Sequence, residues 1–227
     1  MPLILSLETA TDVCSVALHQ GTQLLAQDGI HESQSHASML APLIDAVCLK
    51  AGVSIKEMQA IAVSRGPGSY TGLRIGTSTA KGLCYALDIP LISVGTLELL
   101  AFQGNRENRS HALLCPMIDA RRMEVYSLVT DDQLNVIQPA SANVIDEGSF
   151  AELLESSQML IFGSGSKKCR DVIRHQHAIF LDGVVPQATA LGVLAEKKFH
   201  AREFEDLVQF RPLYLKEFVA KKAGAGM

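Results

Sequence analysis

The sequence lacks an excess of basic residues, a pair of neighbouring cysteines and a long apolar run, and each absence excludes a class of protein. Among 227 residues, 20 Lys and Arg stand against 24 Asp and Glu, which gives a formal net charge of -4. An open basic surface for nucleic acid is therefore not expected of the chain alone, although a partner could supply one. The five cysteines are dispersed, with no CxxC pair, as is typical of small core residues in a reducing cytosol.

No stretch reaches the roughly 18 uncharged apolar residues of a membrane-spanning helix. Residues 1–7 are apolar, but the run stops at Glu8 and has no basic residue before it, so it predicts a first strand and not a signal peptide. Apolar residues make up 48% of the chain, which excludes a disordered chain and fits an α/β protein of one large or two small domains. These features predict a cytoplasmic protein without a membrane segment.

Four signatures of nucleotide binding or catalysis are also missing. The glycine-rich stretch at residues 64–76, SRGPGSYTGLRIG, is not a P-loop, and its first three glycines have spacings of two and four instead of those of GxGxxG. No serine lies in a G-x-S-x-G elbow, which disfavours a serine hydrolase. On the helix predicted at residues 35–50, the fourth residue after His36 is Leu40, where a helical metal pair would need a second ligand. The sequence thus predicts no metal site and no catalytic residue.

The glycine-rich stretch does predict a strand, a sharp turn and the start of a helix at residues 71–87. Its glycines allow the backbone to bend sharply or to approach another group closely, and two hydroxyl residues are candidate N-caps. The free amide groups at the start of a helix attract phosphate. Glu8 and Asp119, each in the first turn of its half, are candidates to hold a metal–nucleotide or to act as acid and base. The alternative left open is that each carboxylate accepts backbone N–H bonds in its own turn. The candidate nucleotide- or anion-binding set is Gly66, Gly68, Ser69, Thr71, Glu8 and Asp119.

Two predicted helices have faces that another structural element is expected to pack against. The helix at residues 71–87 has Gly72, Gly76, Ala80 and Cys84 at steps of four, and each interior glycine costs roughly 1 kcal/mol of helix stability relative to alanine. Either this bare face packs closely on its own sheet, or it admits a helix from another chain. The helix at residues 35–50 is apolar on two sides, which predicts one side against a sheet and the other against something else.

The predicted elements follow the order βββαβαβα twice, with a polar boundary at residues 104–110. This order describes a duplicated ribonuclease-H-like unit, the actin-like (ASKHA) α/β architecture, in which ligands bind between two domains. We predict an N-terminal domain at residues 1–104 and a C-terminal domain at 105–227, whose last segment is expected to pack back on the first. In the second half, a strand is predicted at 134–138 and a helix at 167–175. The turn GSGS at 163–166, followed by Lys167, Lys168 and Arg170, is either a phosphate-binding turn or a solvated loop.

Five motifs closely resemble the TsaB family, also called YeaZ. They are GPGSYTGLRIG within the glycine-rich stretch, LETATDVCSVAL at 7–18, IDARRMEVY at 118–126, FGSG at 162–165 and PLYLKEFVAKK at 212–222. The resemblance extends from residue 2 to about residue 222. Members are similar in fold to the catalytic protein TsaD, and with TsaD and TsaE they help to transfer a threonylcarbamoyl group to the adenosine beside the anticodon of tRNA.

The resemblance implies a non-catalytic scaffold or activating subunit. TsaD-like proteins carry two histidines four residues apart on the helix equivalent to 35–50, and here Leu40 replaces the second. Such a subunit docks to TsaD through helices of its first domain, forms a homodimer when alone and meets tRNA only through the complex. It holds no cofactor tightly, and ATP or ADP is expected, if anywhere, at the junction with TsaD. Glu8 stands where many members have Asp. The predicted partner interface is His36, Met39, Leu40, Leu43, Val47, Gly72, Arg74, Gly76 and Ala80.

An autonomous enzyme of the same fold is the alternative that the sequence leaves open. It would be either an ATP-dependent phosphotransferase of the sugar-kinase type or a glycoprotease-like peptidase. The absent histidine pair and the absent serine elbow oppose the peptidase. ATP or peptide turnover by the purified chain would separate these enzymes from a scaffold.

Overall fold

The computed structural model describes residues 1–31 and 35–216, and residues 217–222 of the last motif lie outside them. The first half contains a five-stranded sheet and three α-helices. Its elements are β1 (Leu3–Glu8), β2 (Cys14–Gln20), β3 (Gln23–Ile30), α1 (His36–Ala51), β4 (Ala60–Gly66), α2 (Tyr70–Leu87), β5 (Leu91–Gly95) and α3 (Thr96–Gly104). The strand order is β3-β2-β1-β4-β5, with β1 antiparallel to β2 and parallel to β4.

The second half repeats this arrangement. Its elements are β6 (Leu113–Asp119), β7 (Glu124–Thr130), β8 (Val136–Val144), α4 (Ala151–Ser156), β9 (Met159–Phe162), α5 (Ser166–Cys169), β10 (Ala178–Leu181) and α6 (Ala188–Ala201). Its strand order, β10-β9-β6-β7-β8, is the same topology listed from the other edge, since β6 is antiparallel to β7 and parallel to β9. The predicted duplicated, actin-like α/β fold is therefore confirmed.

Local sequence explains where the two long helices of the first half begin and end. Ser69 caps α2, because its Oγ accepts a hydrogen bond from Gly72 N at 3.3 Å, as a serine N-cap does. α1 ends at Gly52, whose φ of 67° is a left-handed conformation that glycine adopts without strain. β1 is buried along its whole length because it lies between β2 and β4 with helices on both faces of the sheet.

Helices cover both faces of the first sheet. α1 and α2 pack on one face, over a core that includes Leu5, Val63 and Phe210. The other face packs against α3 and, from the second half, against α6. Gly192 of α6 allows this contact, because a Cβ there would lie less than 3 Å from the His19 ring of β2. α3 also contacts β6 and β7, so α3 lies between the two sheets.

The halves differ in the size of their outer helices. α1 and α2 have 16 and 18 residues, whereas α4 and α5, at the equivalent positions, have 6 and 4. The helix predicted at residues 167–175 is therefore wrong in length, since one turn suffices to bring Cys169 and Ile173 to the second core. The strand predicted at 134–138 is the longer β8, an exposed edge strand that accommodates Pro139. No helix in the described part of the chain is long and apolar enough to cross a membrane.

The chain after α6 returns along the first half. Residues 203–216, which we call the C-terminal strap, pass the edge of β5, where Glu205 N donates to Leu91 O at 2.9 Å. Farther along, Leu213 N donates to Arg65 O at 2.6 Å beside the glycine-rich turn. Lys216 then forms an ion pair with β7 of the second half. The strap therefore touches both halves.

Candidate functional site

The glycine-rich turn packs against the turn that follows β1. Ser69 N donates to Ala10 O at 2.7 Å, and Thr9 Oγ1 donates to Gly72 O at 2.8 Å. A Cβ on Gly68 would lie less than 3 Å from Ala10 O, and one on Gly72 less than 3 Å from Thr9 O. Real Cβ atoms essentially never approach other atoms so closely, so both positions require glycine. We call this contact of residues 9–10 with the glycines of the turn and of α2 the Thr9 socket.

The small-residue face of α2 belongs to the same socket. Gly76 faces Thr9 Oγ1 and Val63 of its own chain, and Ala80 is fully buried. The first sheet and its turn thus fill this face, which is the close-packing alternative. Gly72, Gly76 and Ala80, which the sequence assigned to a partner interface, therefore pack within this chain.

Glu8 lies beneath the socket and has no exposed surface. Its Oε1 accepts a hydrogen bond from Ala10 N at 2.7 Å, and its Oε2 accepts one from Ser64 Oγ. Burial raises the pKa of Glu8 from 4.5 to about 7, although the hydrogen bonds from Ser64, Ala10 and Thr9 lower it in part. Glu8 therefore holds the β1–β2 turn against β4, and a ligand in solvent does not reach it.

Asp119 occupies the equivalent position at the end of β6. Its Oδ1 accepts a hydrogen bond from Arg121 N at 3.0 Å, just as Glu8 accepts one from the residue two positions later. Lys168 forms an ion pair with Asp119 and donates to Arg122 O at 2.6 Å. Both acids are therefore turn carboxylates, which is the alternative to the metal–nucleotide interpretation.

The glycine-rich turn does not fit a phosphate group within this chain. The amides of Ser69 and Gly72 are already bonded to acceptors of the chain itself. A Cβ on Gly66, whose φ is 106°, would lie 2.7 Å from Leu213 O, so the strap covers the turn from outside. Of the predicted set at this turn, Ser69 and Thr71 are exposed, but the Ser69 Oγ already accepts the Gly72 N–H, and two hydroxyl groups do not make an anion site.

The second glycine turn, at residues 163–166, is likewise packed by its own chain. Gly163 has a φ of 97° and faces Met117 O. Arg170 Nη2 donates to both carboxylate oxygens of Asp182 at 3.0 Å, and Lys168 is held by the β6–β7 turn. Two of the three cations that would bind a phosphate are therefore engaged, which favours the loop alternative.

The apolar stripe of α1 faces its own sheet. Leu40, Leu43 and Val47 are buried in the core beneath the helix. His36 is also buried, and its Nε2–H donates to Thr11 O at 2.8 Å. These four residues of the predicted partner interface therefore belong to the core of this chain. The periodicity identified the buried side of the helix, and the first sheet covers that side.

Of the remaining two predicted interface residues, Arg74 is exposed on the solvent side of the helix layer, which we call the outer face, and Met39 is half-buried, in contact with the core beneath the layer. The outer face is formed on α1 by Met39, Pro42, Ala46 and Leu49 and on α2 by Arg74, Ser78, Gly82 and Tyr85, at helical spacings of three and four. Because α1 joins β3 to β4 and α2 joins β4 to β5, and these three strands are parallel, both helices run in the same direction. Leu49 and Tyr85 therefore lie at the same end of the layer.

Leu49, Tyr85 and Gly82 are the residues that sequence reasoning missed. Leu49 and Tyr85 are each 83% exposed, and large apolar side chains grouped on a surface mark interaction sites in soluble proteins. A Cβ on Gly82 would meet no atom of the described residues within 4 Å, so no contact within residues 1–31 and 35–216 compensates the roughly 1 kcal/mol that a helical glycine costs. Gly82 lies outside the steps of four from Gly72, and that series drew attention to the buried face instead.

Comparisons with known proteins cover almost the whole chain. Residues 19–223 match the model of the TsaD family, described as tRNA N6-adenosine threonylcarbamoyltransferase. The chain is 30% identical over 225 residues to the tRNA threonylcarbamoyladenosine biosynthesis protein TsaB of Escherichia coli. The alignment covers 96% of this chain and 96% of that protein. The chain is also 36% identical over 128 residues to the protein of the same name from Haemophilus influenzae. That alignment covers 54% of this chain and 51% of the relative.

A solved structure agrees with the fold over its full length. It is described as an uncharacterized protein with similarity to peptidase YEAZ from Pseudomonas aeruginosa. It superposes with a TM-score of 0.84 at 27% sequence identity and covers 95% of this chain and 100% of its own.

Proposed function

The chain belongs to the TsaB (YeaZ) family, and on this premise we propose that it is a non-catalytic scaffold or activating subunit in tRNA threonylcarbamoyladenosine biosynthesis. It acts with the transferase TsaD and with TsaE, and it docks on TsaD through the outer face of α1 and α2. The observation that supports this proposal is the outer face itself, where Leu49 and Tyr85 are exposed and Gly82 is left open.

The outer face has the features of a surface that a second layer of helices covers. Helices pack at interaxial distances of about 8–10 Å, depending on the side chains at the contact. Ser78 and Gly82 leave a gap on α2 where a partner helix can approach closely, and Leu49 and Tyr85 stand at the end of the layer. Full burial of one large apolar side chain contributes about 1.5–3 kcal/mol, so this end of the face should contribute most to binding.

TsaD is a suitable partner because it has the same fold. The model of its family matches residues 19–223 of this chain, so each protein carries its own version of α1 and α2. Two related chains can pair through the same face about a pseudo-twofold axis, and this geometry also allows a homodimer when TsaD is absent. The second half offers no equivalent layer, because α4 and α5 have only 6 and 4 residues.

The chemistry of the chain supports a subunit without an active site of its own. Position 40 on α1 is a buried leucine, and no three His, Cys, Asp or Glu side chains within residues 1–31 and 35–216 are placed to hold a metal. The proposal therefore includes no tightly bound metal or cofactor. It assigns ATP or ADP to the junction with TsaD, and tRNA is contacted through the assembled complex.

The autonomous phosphotransferase or peptidase is not favoured by any feature of the site. A phosphotransferase needs a turn that holds phosphate, and here the glycine-rich turn is filled by Thr9, Ala10 and Leu213 of the same chain. A buried Glu8 also leaves no exposed carboxylate at the end of β1.

Reconstitution of the modification reaction from TsaD, TsaE and this chain tests the proposal. Omitting this chain should strongly lower the incorporation of threonylcarbamoyl groups into tRNA. Tyr85→Asp should weaken TsaD binding about tenfold or more, because the partner would bury an unpaired charge, whereas Val136→Asp on the exposed strand β8 should not. Undiminished modification without this chain, or ATP or peptide turnover by the chain alone, contradicts the proposal.

A further inference from the structure

The C-terminal strap is fixed to the first half along its length. Phe210 is buried in the core beneath α1 and α2, and Lys81 Nζ of α2 donates to Phe210 O at 3.2 Å and to Val208 O at 3.4 Å. Near its far end, the Tyr214 ring lies 5.1 Å from the ring of Tyr70, the first residue of α2. The strap therefore lies beside α2 on the side of β5, whereas α1 lies on the side of β2 and β3.

Despite this anchoring, the strap presents large apolar side chains to solvent. Val208 is 77% exposed, Tyr214 42% and Leu213 36%. The backbone that carries them is held by hydrogen bonds to α2, β4 and β5. Ordered apolar side chains grouped on one surface are a feature of protein-binding sites, and ordering them in advance lowers the entropy lost on binding. Lys81, which donates to Val208 O, precedes Tyr85 by four residues, so Val208 lies on the side of α2 that carries Tyr85, while Tyr214 lies at the start of the same helix.

Three cations line the same edge. Arg74 Nη1 donates to Tyr70 OH at 2.6 Å, Lys81 donates to the strap carbonyls, and Arg211 Nη1 donates to Val208 O at 2.7 Å. Within residues 1–31 and 35–216, none of the three cations forms an ion pair with a carboxylate. An edge with three cations outside any ion pair fits a partner surface that carries carboxylates opposite it, since the strap carboxylates Glu205 and Asp206 accept from Ser93 Oγ and from backbone amides of the strap.

We propose that the strap is the third element of the docking surface, next to α1 and α2. The occupant we assign to it is a surface of TsaD with apolar side chains opposite Val208 and Tyr214 and with carboxylates opposite Arg74, Lys81 and Arg211. This inference rests on the proposed function and extends it, because the strap is a separate segment that follows α6. TsaD binding then depends on residues beyond 203 as well as on the two helices.

Val208→Asp in the full chain tests the strap. The side chain is exposed, and its backbone bond to Lys81 does not depend on it. We expect the variant to bind TsaD about tenfold more weakly in calorimetric titration, with an unchanged melting temperature. The matched control is Val136→Asp, since Val136 is 58% exposed on β8, and it should bind TsaD as the parent does.

The outcomes separate the strap from the proposed function. If Tyr85→Asp weakens TsaD binding and Val208→Asp does not, the helices remain the docking surface and the strap proposal is overturned. If neither variant weakens it, docking through the outer face fails as well. A change confined to self-association in sedimentation experiments assigns the strap to a second copy and also overturns the proposal. Salt should weaken binding of the parent more steeply than binding of Arg74→Gln, and equal slopes contradict the acidic partner surface.

Discussion

Replacing the glycines of α2 one at a time separates packing inside the chain from docking of a partner. Gly72 and Gly76 line the Thr9 socket, whereas the Cβ position of Gly82 has no atom within 4 Å. Alanine at any of these positions raises intrinsic helix stability by roughly 1 kcal/mol. The three variants therefore share the same gain in helix stability and differ in the atoms that the new methyl group contacts.

In the socket the methyl group meets Thr9. At Gly72 the obstacle is the Thr9 carbonyl oxygen, and at Gly76 it is the Thr9 hydroxyl group. Overpacking costs about 1–3 kcal/mol, so after the helix gain Gly76→Ala should lower the free energy of unfolding by about 0–2 kcal/mol. Gly72→Ala should cost more, because a backbone carbonyl does not rotate away as a side chain does. Gly82→Ala should raise the melting temperature by about 2–4 °C, since a gain of roughly 1 kcal/mol has this effect at this chain length.

Urea unfolding of the monomer measures these differences, and Thr9→Ala supplies the control. Removing the hydroxyl group should offset the loss in Gly76→Ala but not the loss in Gly72→Ala, whose obstacle is a backbone atom that remains. A double-mutant cycle isolates this coupling from the cost of Thr9→Ala itself. Gly82→Leu should stay folded and weaken TsaD binding, because it fills the gap on the outer face. Equal stability of the three alanine variants would refute the socket, and full TsaD binding by Gly82→Leu would refute close approach of a partner helix.

The remaining predictions concern Glu8, Gly192 and tRNA. Burial raises the pKa of Glu8 from 4.5 to about 7, so the protonated carboxyl group stabilises the fold fully below pH 4.5, and this stabilisation is lost as the pH rises through 7. The free energy of unfolding should fall by about 3 kcal/mol over this range, at 1.36 kcal/mol per pKa unit. Glu8→Gln should abolish this pH dependence in urea titrations, and a pH dependence equal to that of the parent contradicts the raised pKa of Glu8. Gly192→Ala should lower the free energy of unfolding by about 0–2 kcal/mol, because the cost of its methyl group meeting the His19 ring exceeds or equals the helix gain, and His19→Ala should restore part of the loss. The isolated chain, with a net charge of -4, should bind tRNA weakly and with steep salt dependence in gel-shift titrations, and tight, salt-insensitive binding contradicts this.

Much of the fold could be predicted because its elements carry local signals. The helices predicted at residues 35–50 and 71–87 are α1 and α2, each bound lying within one residue of the prediction, because Gly52 and Ser69 are end signals that act on neighbouring backbone. β8 was predicted too short for the opposite reason. Most of its residues are exposed and one of them is Pro139, so its extended conformation depends on pairing with β7 and not on an apolar alternation of its own.

The candidate site was harder to predict because the sequence of a helix face does not tell which segment, of this chain or of a partner, packs against it. The spacing of Leu40, Leu43 and Val47 correctly marks a buried side of α1, and the small residues of α2 correctly mark a close approach. In both cases the covering group comes from the first sheet and its turns, and Thr9 is 63 positions away from Gly72 in the chain. The correspondence between Glu8 and Asp119 could be predicted, since it depends only on position within each half, and both accept backbone N–H bonds from two residues ahead.

On the β5 side, the strap decides which surfaces of the first sheet a partner can use. An edge strand exposes unpaired N–H and C=O groups with which another strand can pair. The bond from Glu205 N to Leu91 O, together with the Glu205 carboxylate on Ser93 Oγ, occupies part of the β5 edge. A partner that approaches this side therefore meets α2 and the strap, and this favours association through helices over addition of a strand. Because the strap continues α6, which packs on the opposite face of the same sheet, a partner that holds the strap also holds the segment that joins the second half to the first.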